Sequence, residues 1–373
     1  MNYIFKLVHD TFVVWLEPAN RYLLLHEPAF MILKEWASQI PEDQIIWSCM
    51  KEYGLPMSDA CLFVNEVIQQ LESLISNNKE EQIICELEPS SLHAEYISFS
   101  TKSYLINGQV VQFRYGDPYL EELIHPGFES PGKISESDAK YSFNLFYRGD
   151  QLILQSNFGK SYQCSGSKIE YYLGLINMQL LNSIYHTKDN YWMGAVHASS
   201  VSFRKGAVLF TAPSGSGKST FAAILMNRGY EVLADNFSPI SLNLPCVYPF
   251  PEAILIKNRS LKVLQPYFTS LAATENRYSE NVPEVFLPIT HNELHVPKAV
   301  KAIVFLKYDL TVGFELKKIS NLDAMDRFLQ QLWLPPTKEV ASQFMDWYFQ
   351  IPCYTLNYSE TGKAIDRVSK LFH

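Results

Sequence analysis

The stretch FTAPSGSGKSTF, residues 210–221, places two glycines and a lysine between an apolar run and the start of a helical pattern. Gly206–Ala212 reads as a strand, Pro213–Gly217 as a tight loop, and Lys218–Asn227 as a helix with Phe221, Ile224 and Leu225 turned inward. Gly215 and Gly217 allow a backbone approach that a Cβ would block. The loop Pro213, Ser214, Gly215, Ser216 and Gly217, followed by Lys218, Ser219 and Thr220, is therefore expected to cradle a polyphosphate. Backbone amides and the helix N-terminus face the β-phosphate, Lys218 reaches the β and γ oxygens, and Ser219 offers its hydroxyl to magnesium. Ala212 stands where the G-x-x-x-x-G-K-[ST] pattern has its first glycine, a change that costs little if its φ stays negative.

The surroundings supply candidates for the rest of the chemistry. YEVLAD (230–235) ends a second apolar strand in a carboxylate, and in an open parallel sheet that end lies beside the loop. Asp235 is expected as a metal ligand or as the base for an incoming hydroxyl, the plain alternative being a strand-end loop cap. His197 heads the strand-like run HASSVSF, where a histidine alone reads more often than not as a satisfied core residue. From residue 207 strands and helices alternate, which argues for an α/β region.

Composition narrows the partners. The chain has 373 residues and a net charge of −8, with no cluster of Lys and Arg of the kind that nucleic acid or anionic membrane requires. Its six cysteines are scattered, which reads as buried reduced thiols rather than a zinc site or disulfide framework. No run approaches membrane-spanning length and the N-terminus has no signal-peptide pattern, so a cytoplasmic protein is expected.

Two domains are expected, 1–80 and 83–373, the second comprising a β-rich lead-in (83–195) and a loop-bearing core (196–373). The first opens with the runs YIFKLV, TFVVWL and RYLLL and continues with three helical patterns: from Glu27-Pro28, over about 43–53, and after Ser58. Asn77 to Glu81 reads as a linker, and HPGFESPGKISESD (125–138) as a loop within the lead-in. A long helix carries Ile169, Tyr172, Leu173, Ile176, Leu180 and Ile184 on its buried stripe. Short strands with three helices suggest a small winged-helix-like α+β domain, but residues 1–78 hold four basic against ten acidic side chains, the wrong sign for DNA. The run YLLLHEPAFMILKEWASQIPEDQIIWSCMKEYG (22–54) with the third helix resembles the PqqD-type domain, which implies a peptide-recognition element holding a leader segment as an added strand.

Residues 196–240, VHASSVSFRKGAVLFTAPSGSGKSTFAAILMNRGYEVLADNFSPI, resemble the catalytic core of the HPr serine kinase family. IPCYTLNYSETGKAIDRVSKLF (351–372) is similar to that family's tail. The resemblance implies an α/β P-loop kinase domain of the HPr kinase type that uses ATP and Mg²⁺ to phosphorylate a hydroxyl. Lys218 and Ser219 match the loop pair, His197 the family histidine, and Asp235 the first acidic residue, taken as base and metal ligand. Two departures stand out. Asn236 replaces the second acidic residue, which puts reversible dephosphorylation in doubt, and PFPEAILIKNRSL (249–261) lacks the family's Arg-Gly-Leu-Gly segment. The sugar-transport carrier protein is therefore not the expected substrate. Glu252 is a candidate metal carboxylate, and Lys257, Arg259 and Arg277 are candidate phosphate clamps.

Together these readings describe an ATP-dependent kinase that phosphorylates a Ser or Thr of a ribosomal precursor peptide held by the N-terminal domain. A kinase of small-molecule hydroxyls and a non-catalytic nucleotide-binding scaffold are the alternatives. Because HPr kinases form rings, a homo-oligomer stays open, and no interface stripe stands out in the sequence. The region from about residue 82 is expected to bind nucleotide by itself.

Overall fold

The computed structural model describes residues 2–77, 84–87, 98–106, 108–128, 139–203, 206–268, 271, 284–289 and 296–372. The linker at 78–81, residues 129–138 of the expected loop and Arg277 lie outside the described residues, whereas residues 125–128, read as the start of that loop, end a helix that begins at Pro118. The chain forms two compact units, Met1–Gln82 with Leu334–Tyr348, and Ile83–Trp333 with Phe349–His373.

In the first unit β1 (Tyr3–Val8), β2 (Thr11–Leu16) and β3 (Arg21–Leu25) make an antiparallel meander in which Trp15 faces Tyr22 and Val13 faces Leu24. Three helices follow, α1 (Glu27–Ala37), α2 (Glu42–Tyr53) and α3 (Met57–Asn77). Pro28 opens α1, where a missing N–H costs nothing, and Gly54 ends α2 in the left-handed region at φ 66°. Strand side chains alternate between faces. Val14 and Leu16 therefore pack on Phe30, Leu33 and Leu71 of the helices, while Val13 and Trp15, both buried, point to the other face.

That second face is covered by the helix Lys338–Tyr348, whose Phe344 meets the Tyr22 ring edge-on at 5.3 Å and whose Asp346 pairs with Lys6. The sequence reading counted this helix with the loop-bearing core. Its buried Val340, Phe344, Met345, Trp347 and Tyr348 need an apolar partner, and the sheet face that carries Lys6 of β1 and Tyr22 of β3 supplies one.

The second unit begins with a six-stranded sheet in the order β4-β9-β8-β7-β6-β5. Its strands are β4 (Ile84–Leu87), β5 (Ser100–Ile106), β6 (Gln109–Tyr115), β7 (Tyr141–Arg148), β8 (Gln151–Ser156) and β9 (Ser161–Ser165). The run YLINGQVVQFRY (104–115) is a hairpin that turns at Gly108 with φ 73°. Helices α4 (Pro118–Phe128) and α5 (Ile169–Tyr185) close the core, Leu120, Tyr172, Ile176 and Leu180 packing on Phe113, Phe143 and Leu154.

A ten-stranded mixed sheet follows. In chain order its parts and neighbours are β10 (Trp192–Val196), β11 (Ala198–Phe203), β12 (Gly206–Thr211), α6 (Lys218–Asn227), β13 (Glu231–Ala234), β14 (Ser238–Ser241) and β15 (Cys246–Val247). The hairpin β16 (Ile254–Lys257) and β17 (Glu284–Leu287) brackets α7 (Asn258–Leu264). Then come β18 (Lys298–Tyr308), β19 (Phe314–Ile319), β20 (Leu332–Trp333) and β21 (Cys353–Tyr358). The main path runs β13-β11-β12-β18-β15-β14-β10-β20, with β21 beside β18.

β12 and β18 are parallel, as are β18 and β21, but β11 is antiparallel to both β12 and β13. The open parallel sheet expected around the loop is thus interrupted: β13 runs in the direction of β12 but one strand away. Every residue of β12 is buried, as a central strand covered on both faces requires. Phe210 meets Phe221 of α6 edge-on at 5.2 Å, a pair that contributes about 0.5–1.5 kcal/mol beyond its area burial.

Among the described residues no helix is long and apolar enough to cross a membrane. Cys49, Cys164 and Cys353 are buried thiols, Cys61 and Cys246 are half-buried and Cys85 is exposed, so burial extends to only part of the set.

Candidate functional site

The loop between β12 and α6 is shaped by its two glycines. Gly215 has φ 87° and Gly217 has φ 98°, conformations that strain any side chain. Ala212 is not among the residues with left-handed backbone, so its methyl group is tolerated where the motif has glycine. Gly217 occupies the N-cap of α6, and the Tyr308 amide donates to the Ser216 carbonyl at 3.1 Å, tying the loop to the end of β18. The helix N-terminus therefore opens on a concave loop, an arrangement that attracts anions.

Lys218 is buried, and its Nζ donates to the Ala212 carbonyl at 2.6 Å. Burial lowers its pKa, the Asp235 charge opposes that shift and Lys257 adds to it. The lysine is thus parked on the loop's own backbone, within reach of an anion that could replace that carbonyl.

Asp235 follows β13 and is 1% exposed, so it lies behind the loop and does not form a cavity wall. Its position follows from register: Ala234 pairs with Ser200 on β11, which sets the next carboxylate against Ser199. The Ser199 hydroxyl donates to Asp235 Oδ1 and the Ser219 hydroxyl to Oδ2 at 2.8 Å. Burial raises its pKa, while the Ser199 and Ser219 bonds, Lys218 and the Leu255 amide pull it back. Asn236 takes φ 63°, a left-handed turn that asparagine tolerates.

His197 lies between β10 and β11, its amide donating to the Gln331 carbonyl at 2.7 Å just before β20. His197 is exposed toward the cavity, yet desolvation of its ring first, then the charges of Lys218 and Lys257, push its pKa down to about 4, so the ring is neutral near pH 7 and can accept a hydrogen bond. Glu252 does not line the cavity. Burial and the Asp235 charge push its carboxyl up to about 8, and a Cβ on Gly127 would stand 3.3 Å from its Cγ.

Beside the loop is a cavity of about 570 Å³, bounded by His197, Lys218, Asn236, Lys257, Arg259 and Tyr308 among others. Of the expected loop residues, Ser214, Gly215, Gly217, Lys218, Ser219 and Thr220 reach it, whereas Pro213 and Ser216 do not. Thr220 donates to the Ser260 hydroxyl at 2.8 Å, joining α6 to α7. Three cations and one carboxylate, Glu170, stand in the wall, a balance suited to a polyanion.

Ser199 is the site residue that the sequence reading missed. A serine two residues beyond His197 was visible in HASS, but only the pairing of β11 with β13 shows that it meets Asp235. Ser199→Ala removes one donor from a buried carboxylate, so unfolding stability is expected to fall by about 1–3 kcal/mol, measured by urea denaturation. A loss within experimental error would mean that this bond does not hold Asp235.

The donor set Ser219 and Asp235 consists of two hard oxygens beside a phosphate-shaped loop. This fits magnesium, which takes one or two protein oxygens and completes its octahedron with water and phosphate. No protein-family model matches the chain, and no curated protein is similar to it in sequence.

Proposed function

We propose that the chain is an ATP-dependent kinase of the HPr serine kinase type, fused to a PqqD-like domain, that phosphorylates a Ser or Thr hydroxyl of a peptide. The observation that carries this reading is the junction of β12 and α6. Two left-handed glycines, a buried lysine turned onto the loop and the Ser219–Asp235 bond lie together at one helix N-terminus.

In this reading the loop amides and Lys218 bind the β and γ phosphates and hold the γ-phosphorus in line with the acceptor oxygen. Asp235 accepts the acceptor's proton as the oxygen attacks, through the oxygen that the Ser219 hydroxyl otherwise occupies. Ser219 and Asp235 would hold magnesium, which would supply charge neutralisation on the phosphates when bound. Ser199 keeps the carboxylate aimed through its other oxygen. Asn236, on the cavity wall, presents an uncharged amide where the related kinases have a second carboxylate, which favours transfer to the acceptor over the reverse reaction.

The peptide half of the reading rests on the first unit, where β1 and β3 each pair only with β2 among the described residues, leaving sheet edges to which an extended segment could add. Radiolabelled ATP offered with a leader-bearing peptide, the same peptide without its leader, and a panel of hydroxylated metabolites separates the readings. Transfer to the leader-bearing peptide at a lower KM than to the leaderless one is expected. Transfer only to metabolites would leave a small-molecule kinase, and binding without any transfer a scaffold.

A further inference from the structure

Two cations not used in the transfer chemistry above face the loop from β16 and α7. The strand first passes the base, where the Leu255 amide lies close enough to favour the charged Asp235 carboxylate. Two residues on, Lys257 Nζ donates to the Ser214 hydroxyl at 3.0 Å. Two residues further, the Arg259 guanidinium lies against the loop so closely that a Cβ on Gly215 would stand 2.3 Å from Nη2. Both cations line the cavity, and among the described residues neither has a carboxylate partner. Arg259 does not dangle from a loose segment, because its neighbour Ser260 is bonded to Thr220 in the first turn of α6.

The order of these contacts says which phosphate they would meet. The α6 N-terminus holds the β-phosphate, and the transferred phosphoryl group must lie between it and the base. β16 runs on the side of the base, since its Leu255 lines the cavity and the Leu255 amide lies close enough to Asp235 to favour the charged carboxylate. Its cations therefore reach the outer end of the polyphosphate chain. Resting on the nucleotide-binding reading above, we infer that Arg259, supported by Lys257, is the reader of the γ-phosphate, so that the site distinguishes ATP from ADP. The planar guanidinium fork can donate two parallel bonds to phosphate oxygens, whereas Lys257 acts as a point charge beside it. Gly215 then has two reasons to lack a side chain: its left-handed backbone and the guanidinium packed on it.

The test is calorimetric titration of the full chain with ATP and with ADP, each with magnesium, which needs no knowledge of the acceptor. Arg259 is exposed, so Arg259→Ala should fold, and Lys262→Ala, on the exposed side of the same helix, controls for the loss of one positive charge. Arg259→Ala is expected to weaken ATP binding about 10- to 100-fold and leave ADP binding within about twofold. Arg259→Lys should recover only part of the loss, and Lys262→Ala should change neither affinity. An equal loss for ATP and ADP would place Arg259 on the α or β phosphate and overturn the inference. No loss for either would assign it to the acceptor and overturn it too. If the wild-type chain bound neither nucleotide, the nucleotide-binding reading would fall and this inference with it.

Discussion

Asp235→Asn is expected to slow phosphoryl transfer by about 10²-fold or more while ATP still binds. The replacement is nearly isosteric, and its amide can satisfy the same neighbours: the carbonyl oxygen accepts from Ser199 or Ser219, and the NH₂ donates to the other hydroxyl. Fold and loop geometry should therefore survive. What is lost is the capacity to take a proton, together with an anionic ligand for magnesium. Pre-steady-state transfer measured beside calorimetric ATP binding separates the two functions. A variant that transfers at the wild-type rate would move the base elsewhere, and His197 is next in line, since its ring is neutral and faces the cavity. A variant that no longer binds ATP would show that the carboxylate acts chiefly as a magnesium ligand. Either result is informative because Asp235 is not a wall residue, so its substitution leaves the shape of the cavity unchanged.

How much of this could be read from the sequence depends on the range of the interaction involved. The loop of residues 212–219 was legible because strand, glycines, lysine and helix are consecutive, and their physics is local. The three helices of the first unit were equally plain, with Pro28 and Gly54 marking their ends. Strand pairing was not legible. Nothing in YEVLAD says that β11 lies between it and the loop strand, and that single fact makes Ser199 a partner of Asp235. Lys257 and Arg259 were visible as cations, but only the hairpin of β16 brings them over Ser214 and Gly215. The helix at 338–348 shows the same limit. Its amphipathic spacing says that it must bury Phe344 and Trp347, not that the first unit's sheet is the surface that takes them.

That helix changes what a shortened chain should do. A protein starting near residue 82 is expected from its sequence to keep nucleotide binding, because it keeps the whole loop, and every wall residue of the cavity does lie in the second unit. Without β1–β3, however, the helix loses the face that covers Val340, Phe344, Met345, Trp347 and Tyr348. Each such side chain contributes roughly 1.5–3 kcal/mol when fully buried, and a contiguous apolar strip of this kind promotes association. The shortened chain is therefore expected to aggregate or to bind a hydrophobic dye strongly. A second shortened chain with Phe344→Ser, Met345→Gln and Trp347→Gln, which relieves the strip without touching the cavity, should stay monodisperse and bind ATP with magnesium within a few-fold of the full chain. Light scattering and calorimetry read the two properties separately. If the unmodified shortened chain were as monodisperse as the full one, the packing of 338–348 on the sheet would be refuted. If the polar variant stayed monodisperse but failed to bind ATP, the nucleotide site would depend on the first unit in a way that its wall residues do not account for.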